Sequence, residues 1–375
     1  MKYFIISGEA SGDLHASNIV KELKNVDQSA EFVGWGGDLM QQQGVKILKH
    51  IKDLAFMGFV EVALNFRIIM RNFSLCKKQI LEENPDKIIF VDYPGFNMKM
   101  LKWAKQKNFQ TVWFISPNVW AWKTKRIFTL KKYADRIFVI LPFEKDFYAK
   151  YGIEVEYHGH PLVDIVNNYK SDSYEIFCSK YGLSVEKRLI ALMPGSRMQE
   201  LKKMLPTIVE TANYFPEYNF VIIGSSLFSK EDYSKIVPNL KIPIIFNENY
   251  EIMSHSTAAV VKSGTGTLEM ALFAVPQVVC YKQNSITIAI AKKLSKVIYI
   301  SLPNLILNKR AIEELIQEDF AVEKIVEELK KILPDGSKYS VIKNDYENLY
   351  NLLNKQNIYQ NIAKEIKAYP SLLHT

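Results

Sequence analysis

Short apolar runs recur along the whole chain, each followed by a stretch of helical periodicity. Tyr3–Ser7, Glu31–Val33, Lys87–Asp92, Gln110–Ile115, Arg136–Leu141 and Val155–His158 are the runs of the first half. Arg188–Met193, Asn219–Gly224, Pro243–Phe246, Ala258–Lys262 and Gln277–Tyr281 repeat the rhythm in the second. Ile, Val, Phe and Tyr dominate them, and several are apolar on both faces. Strands covered by helices on both sides have that pattern. Strands alternating with helices predict a parallel α/β sheet, and two such series predict two Rossmann-like halves.

The helices between them carry their own signals. Asp13 reads as an N-cap, with Leu14, Ile19, Val20 and Leu23 turned inward. Pro142 suits the first turn of another helix. Met198–Tyr214 is a third, with Pro206 an irregularity inside it. The chain has 375 residues, enough for two domains. The polar stretch Asn167–Lys187 is the expected connection, dividing a first domain, 1–166, from a second, 167–346. The amphipathic tail, 347–375, is expected to pack back on the first.

Composition narrows the classes. Hydrophobic residues make up 48% and charged residues 23%, as in a folded globular chain. Cys76, Cys178 and Cys280 are far apart and form no C-x-x-C, so neither a zinc site nor a disulfide framework is expected. The sparse cysteines fit a reducing compartment. The opening residues lack the long apolar region of a signal peptide, and no run of apolar residues is long enough to span a bilayer. A cytoplasmic protein is expected. The net charge of +8 suits an anionic partner, or simply a solvated lysine-rich surface. Basic residues do not alternate with aromatics in a stripe, so nucleic acid is not an expected ligand.

In open parallel sheets ligands bind at the carboxyl ends of the strands, so the loops there carry the information. Gly8-Glu9-Ala10-Ser11-Gly12-Asp13 follows the first strand. Its glycines permit close backbone approach and a helix N-terminus favours an anion. It is not G-x-G-x-x-G, which argues against a dehydrogenase. Glu9 is a candidate functional carboxylate, or else it serves the helix dipole. Asp92-Tyr93-Pro94-Gly95-Phe96-Asn97 follows a very apolar strand. Partial desolvation there should raise the proton affinity of Asp92, as a general base needs. Asn97 reads as the cap of the next helix.

Ser116–Lys123 carries Trp120 and Trp122 before Lys123, Lys125 and Arg126, which suits a sugar, a lipid interface or core packing. Pro194-Gly195-Ser196-Arg197 opens the second half as an anion cradle, and Arg197 can neutralise a phosphate bidentately. Ser263-Gly264-Thr265-Gly266-Thr267-Leu268-Glu269 offers hydroxyls, glycines and a carboxylate one turn into a helix. Its amides can hold a diphosphate and Glu269 can take both ribose hydroxyls. Asn304, in an apolar loop, satisfies backbone or grips a sugar hydroxyl. Met57–Cys76 holds Phe59, Phe66, Ile69, Met70 and Phe73 with Arg67 and Arg71 between them. It reads either as a core helix or as one that lies on a membrane or an acyl chain, its arginines on phosphates.

Taken in order, these segments resemble the lipid-A-disaccharide synthase family of GT-B glycosyltransferases. The carriers are Ser7–Asp13, Met57–Val62, Asp92–Asn97, Ser116–Trp122, Leu141–Glu144, Gly159–Leu162, Pro194–Arg197, Ser263–Thr265 and Ser301–Leu305. Each is weak alone, and the ordered set is specific. The resemblance implies two Rossmann-like domains whose parallel sheets face a central cleft. It implies an inverting reaction with no metal and no cofactor, within lipid A biosynthesis. The donor would be UDP-2,3-diacylglucosamine and the acceptor 2,3-diacylglucosamine 1-phosphate (lipid X). The products would be a β-1,6-linked disaccharide 1-phosphate and UDP. Asp92 would be the base with Glu9 near the acceptor. Arg197 and Glu269 would serve UDP, with Ser196, Gly195, Ser263, Gly264, Thr265 and Gly266, and Asn304 near the nucleotide. Gly95 stands where some members carry a second Asp, so a mechanism with two carboxylates in that loop is not expected. Acylated substrates imply peripheral contact with the inner membrane, and a homodimer stays open. The rivals are another UDP-N-acetylglucosamine transferase, a 2-epimerase of the same fold, and a non-catalytic UDP-sugar sensor.

Overall fold

The apolar runs form two parallel sheets. In chain order the strands are β1 (Lys2–Ile6), β2 (Glu31–Gly36), β3 (Lys46–His50), β4 (Lys87–Val91), β5 (Gln110–Phe114), β6 (Arg136–Val139) and β7 (Glu156–Tyr157). The second set is β8 (Leu189–Met193), β9 (Asn219–Gly224), β10 (Ile244–Phe246), β11 (Ser256–Lys262), β12 (Gln277–Tyr281) and β13 (Glu314–Ile316). These are the strands of a computed structural model that describes residues 1–54, 66–121, 123–283 and 298–369. The parallel α/β architecture is the expected one.

The seven-stranded sheet runs β3-β2-β1-β4-β5-β6-β7, and the six-stranded sheet runs β10-β9-β8-β11-β12-β13. In each, the order reverses once: between β1 and β4, and between β8 and β11. Helices leave opposite faces on the two sides of such a point, and a crevice opens at the carboxyl ends of the two strands. β4 and β5 are buried at all five positions, because helices cover both faces. Edge strands β3 and β13 are absent from the sequence reading. Their residues, Lys-Ile-Leu-Lys-His and Glu-Leu-Ile, lack the continuous apolarity that marks the interior strands.

The chain divides into two compact units, Met1–Asp164 with Lys355–Thr375, and Ile165–Asn354. Helix Tyr339–Leu353 therefore belongs to the second unit, and helix Ile358–Ala368 to the first. In the first unit Phe4, Ile6, Trp35, Ile88, Phe90 and Trp113 form part of one core. In the second, Leu189, Ala191, Val221, Val261 and Met270 do the same.

Helix Ile358–Ala368 is held by polar groups as well as packing. Lys87, the fully buried first residue of β4, donates through Nζ to the carbonyls of Ile366 at 2.6 Å, Lys367 at 3.2 Å and Tyr369 at 2.6 Å. An ammonium at a helix C-terminus satisfies orphan carbonyls and meets the negative end of the dipole. Arg136 Nη2 pairs with Glu365 at 2.8 Å, and His15 shares a 2.7 Å hydrogen bond with the Tyr359 hydroxyl. Among the described residues no helix is long and apolar enough to cross a membrane.

Candidate active-site residues

Asp92 and Glu9 stand at the reversal point of the first sheet, one after β4 and the other just beyond β1. The two strands pair in parallel, Ile6 against Phe90, so their tips are neighbours. Asp92 and Tyr93 both have left-handed backbones, with φ of 45° and 49°. Such conformations cost a non-glycine residue on the order of 1–3 kcal/mol and persist only where the surroundings impose them.

Asn97 imposes this one. It is fully buried, and its Nδ2 donates to the Asp92 carbonyl at 2.8 Å and to those of Ile6 and Val91 at 3.3 and 3.4 Å. The cap expected at Asn97 is therefore corrected. Tyr93 is the N-cap of helix Pro94–Gln106, and Asn97 lies inside it, tying the ends of β1 and β4 together. Gly8 completes the join. A Cβ there would lie 2.4 Å from the Tyr93 ring, so only glycine lets that ring cover the first loop.

The Asp92 carboxyl is pushed up to about 7, first by burial and then by the negative charge of Glu9, with the Tyr93 backbone N–H pulling the other way. At neutral pH the group is thus poised between its two forms, which suits proton abstraction. Asp13, expected as a cap, is corrected too. Its helix runs Ala10–Val26 with Glu9 as N-cap. The buried Asp13 carboxylate instead accepts from the N–H groups of Gly37 at 2.6 Å, Leu39 at 3.0 Å and Met40 at 3.2 Å, satisfying the start of helix Asp38–Gln42.

The remaining candidates of the first unit divide. Phe73 is core, stacked on Phe96 at 4.4 Å, and Ile69 packs partly against the same core. Phe73 thus follows the core alternative for this helix, and Ile69 is half-buried between the two. Arg67, Met70 and Arg71 of helix Phe66–Glu83 are exposed, and so is Ile68. Phe59 and Trp122 lie outside the described residues, as does the side chain of Phe66. Trp120 packs edge-on against Phe143 with ring centres 5.0 Å apart. His160 is buried, and its Nδ1 accepts from Leu162 N–H at 3.2 Å, a packing role.

In the second unit the two candidate loops follow β8 and β11, the pair at that sheet's reversal point. Gly195 has φ of 119°, and a Cβ there would meet Glu200 Oε2 at 2.6 Å. That oxygen accepts from Ser196 N–H at 3.1 Å. An internal carboxylate therefore occupies the Ser196 amide, one of the donors of the expected anion cradle, and leaves the exposed Ser196 hydroxyl. Ser196 and Arg197 remain exposed, Arg197 as N-cap of helix Met198–Glu210.

After β11, Gly264 and Thr265 are exposed, and Gly266 starts helix Gly266–Leu272. Ser263 Oγ donates to the Ile300 carbonyl at 2.7 Å. Glu269 Oε1 accepts from the Tyr250 hydroxyl at 2.9 Å, and burial raises its carboxyl above the usual range. Asn304 is fully buried and internally committed. Its Nδ2 donates to the Ile312 carbonyl and to Glu314, each at 2.9 Å, and its Oδ1 accepts from Ala311 and Ile312 N–H at 2.8 and 3.0 Å. Its amide is thus a brace for the loop around Ser301–Glu314, the backbone-satisfying alternative of the two open for it. Glu200, Tyr250 and Glu314 are missing from the sequence reading. Their one signal is a charged or phenolic residue in an apolar setting, which alone does not single out a site.

Residues 3–368 match the family described as lipid-A-disaccharide synthetase. The chain is 36% identical over 341 residues to the lipid-A-disaccharide synthase of Trichlorobacter lovleyi, covering 89% of this chain and 88% of that one. It is 34% identical over 380 residues to that of Persephonella marina, covering 98% of each. Among solved structures, UDP-GlcNAc 2-epimerase from Neisseria meningitidis bound to UDP-GlcNAc superposes with a TM-score of 0.67 at 13% identity, covering 98% of this chain and 100% of that one. The calicheamicin glycosyltransferase CalG4 gives 0.59 at 11% identity, covering 100% and 99%. At these identities the structural likeness speaks to the fold alone.

Proposed function

The chain belongs to the lipid-A-disaccharide synthetase family and is a disaccharide-forming glycosyltransferase of GT-B fold, and from that premise we propose its substrates and the residues that act on them. The donor is UDP-2,3-diacylglucosamine and the acceptor is lipid X. Asp92 takes the proton of the acceptor 6-hydroxyl as that oxygen attacks C1 of the donor. The C1–O bond to UDP breaks, its electron pair leaves with the diphosphate, and the configuration inverts to β. The observation that carries this reading is the Asp92 carboxyl at the β1/β4 reversal point, lifted to about 7 by burial and by Glu9. A base near neutrality can accept a hydroxyl proton and still be ionised often enough to act.

Glu9 assists on the acceptor side, within the first unit, by keeping Asp92 basic. The second unit serves the donor. Arg197 meets the diphosphate, the Ser263–Gly266 turn lies along it, and Glu269 takes a ribose hydroxyl with the oxygen that Tyr250 leaves. The charge that develops on the leaving diphosphate makes a cation there effective. The protein acts in the cytoplasm at the inner-membrane surface. Ile68 and Met70, 43% and 45% exposed beside Arg67 and Arg71, supply apolar and cationic contacts for anionic lipid.

The test is UDP release from UDP-2,3-diacylglucosamine in detergent micelles, with and without lipid X. Release that requires lipid X and is lost in a folded Asp92→Ala protein supports both reaction and base. Release that ignores lipid X, or survives Asp92→Ala, contradicts them.

A further inference from the structure

Lys262 ends β11, one residue before the Ser263–Gly266 turn, and nothing in the sequence marks it out from the other lysines. The strand register pairs Val261 with Met193 of β8 and Lys262 with Cys280 of β12. Its ammonium therefore rises where the loops after β8 and β11 start. Nζ lies 2.8 Å from Glu200 Oε1, 5.9 Å from the centre of the Tyr281 ring, and 4.0 Å from the point a Cβ on Gly264 would occupy.

Glu200 is only 3% exposed. One of its oxygens holds the Ser196 N–H and the other holds Lys262, so a single buried carboxylate fixes both the Pro194–Arg197 turn and the lysine. Such a pair is a poor source of stability, since desolvation offsets most of the Coulombic gain and apolar residues commonly serve as well. An ammonium has three donors, and Glu200 takes one. Held between two exposed turns, Lys262 suits a ligand with several anionic oxygens.

We propose that Lys262 is a further leaving-group residue, donating to the β-phosphate oxygens of UDP as the glycosidic bond breaks, with Glu200 as the positioning residue that aims it. This rests on the donor-side reading of the second unit. No proton moves. The C1–O electron pair stays on the β-phosphate, whose charge grows by one, and the ammonium offsets that charge.

Calorimetric binding of uridine and of UDP to the full chain tests it, using wild type, Lys262→Met, Lys262→Arg and the double variant Lys262→Met/Glu200→Gln. Lys262→Met should weaken UDP by about tenfold, equivalent to one charge-assisted hydrogen bond, and leave uridine unchanged. Lys262→Arg should stay within about threefold of wild type. The double variant has no buried unpaired charge, so it remains interpretable if the single one misfolds, and it too should bind UDP weakly. UDP binding restored to the wild-type value in the double variant overturns the proposal, because the lysine would then only neutralise Glu200. UDP binding weakened by Arg197→Ala but untouched by Lys262→Met removes Lys262 alone. A wild-type protein that binds no UDP removes the donor-side reading and this inference with it.

Discussion

Asn97 donates from Nδ2 to the backbone carbonyl of Asp92 at 2.8 Å, and the same amide reaches Ile6 at the end of β1. One buried side chain therefore fixes the separation of the two strand tips that bear Asp92 and Glu9. The left-handed turn at Asp92 and Tyr93 has no glycine to relax it, so it depends on this brace.

Asn97→Ala should lower kcat by about a hundredfold, the scale expected when a reacting group shifts by roughly an ångström. Asn97→Asp has no donor when ionised and at most one when protonated, so it should not restore the wild-type rate. Calorimetric UDP affinity should stay at the wild-type value in both, because the residues proposed for UDP lie in the other unit. A folded Asn97→Ala protein with full kcat would show that the brace does not position the base.

Lys87→Met should destabilise the fold by about 1–3 kcal/mol, the usual effect of leaving buried carbonyls without a donor. The loss should be local first. Hydrogen exchange at helix Ile358–Ala368 should speed up more than exchange in β1 or β5. Unchanged protection of that helix would mean that Arg136–Glu365 and packing suffice to hold it.

Asp92→Asn should raise the melting temperature above neutral pH. The folded carboxyl is raised to about 7 from an ordinary 3.8, so the native state holds its proton more tightly than the unfolded chain. Its favourable contribution is complete below about pH 4 and is lost as pH rises through about 7. The gain of the Asn variant over wild type should thus be greatest at pH 8 and shrink toward pH 4. Scanning calorimetry at several pH values would show it, and a gain that grows on acidification would contradict the burial of Asp92.

The interior of both sheets was legible because parallel strands buried on two faces must be continuously apolar, as in Ile88–Val91 and Val221–Ile223. Edge strands β3 and β13 escape that rule. The position of Asp92 was legible too, since a carboxylate directly after a buried strand has few local explanations; Glu9, three residues past β1, also serves as N-cap of its helix. Partners distant in sequence were not. Asp13 reads as a cap of its own helix, yet it caps one starting 25 residues later at Asp38. Asn97 reads as a cap, yet it bridges two strands. Phe73 and Met70 share an apolar helix, and only the packing of Phe96 decides which faces inward. Glu200 and Glu314 are solvated charges by composition, and become scaffold only once the loops around them close.

The most direct measurement is the pH dependence of kcat/KM for wild type and Glu9→Gln. The wild-type acid limb should fall near pH 7, where the free enzyme's Asp92 loses its proton. Removing the negative charge of Glu9 lowers the proton affinity of Asp92, so the limb of Glu9→Gln should move to lower pH. A limb that stays in place, or moves upward, would contradict the coupling of the two carboxylates and the role of Asp92 as the base.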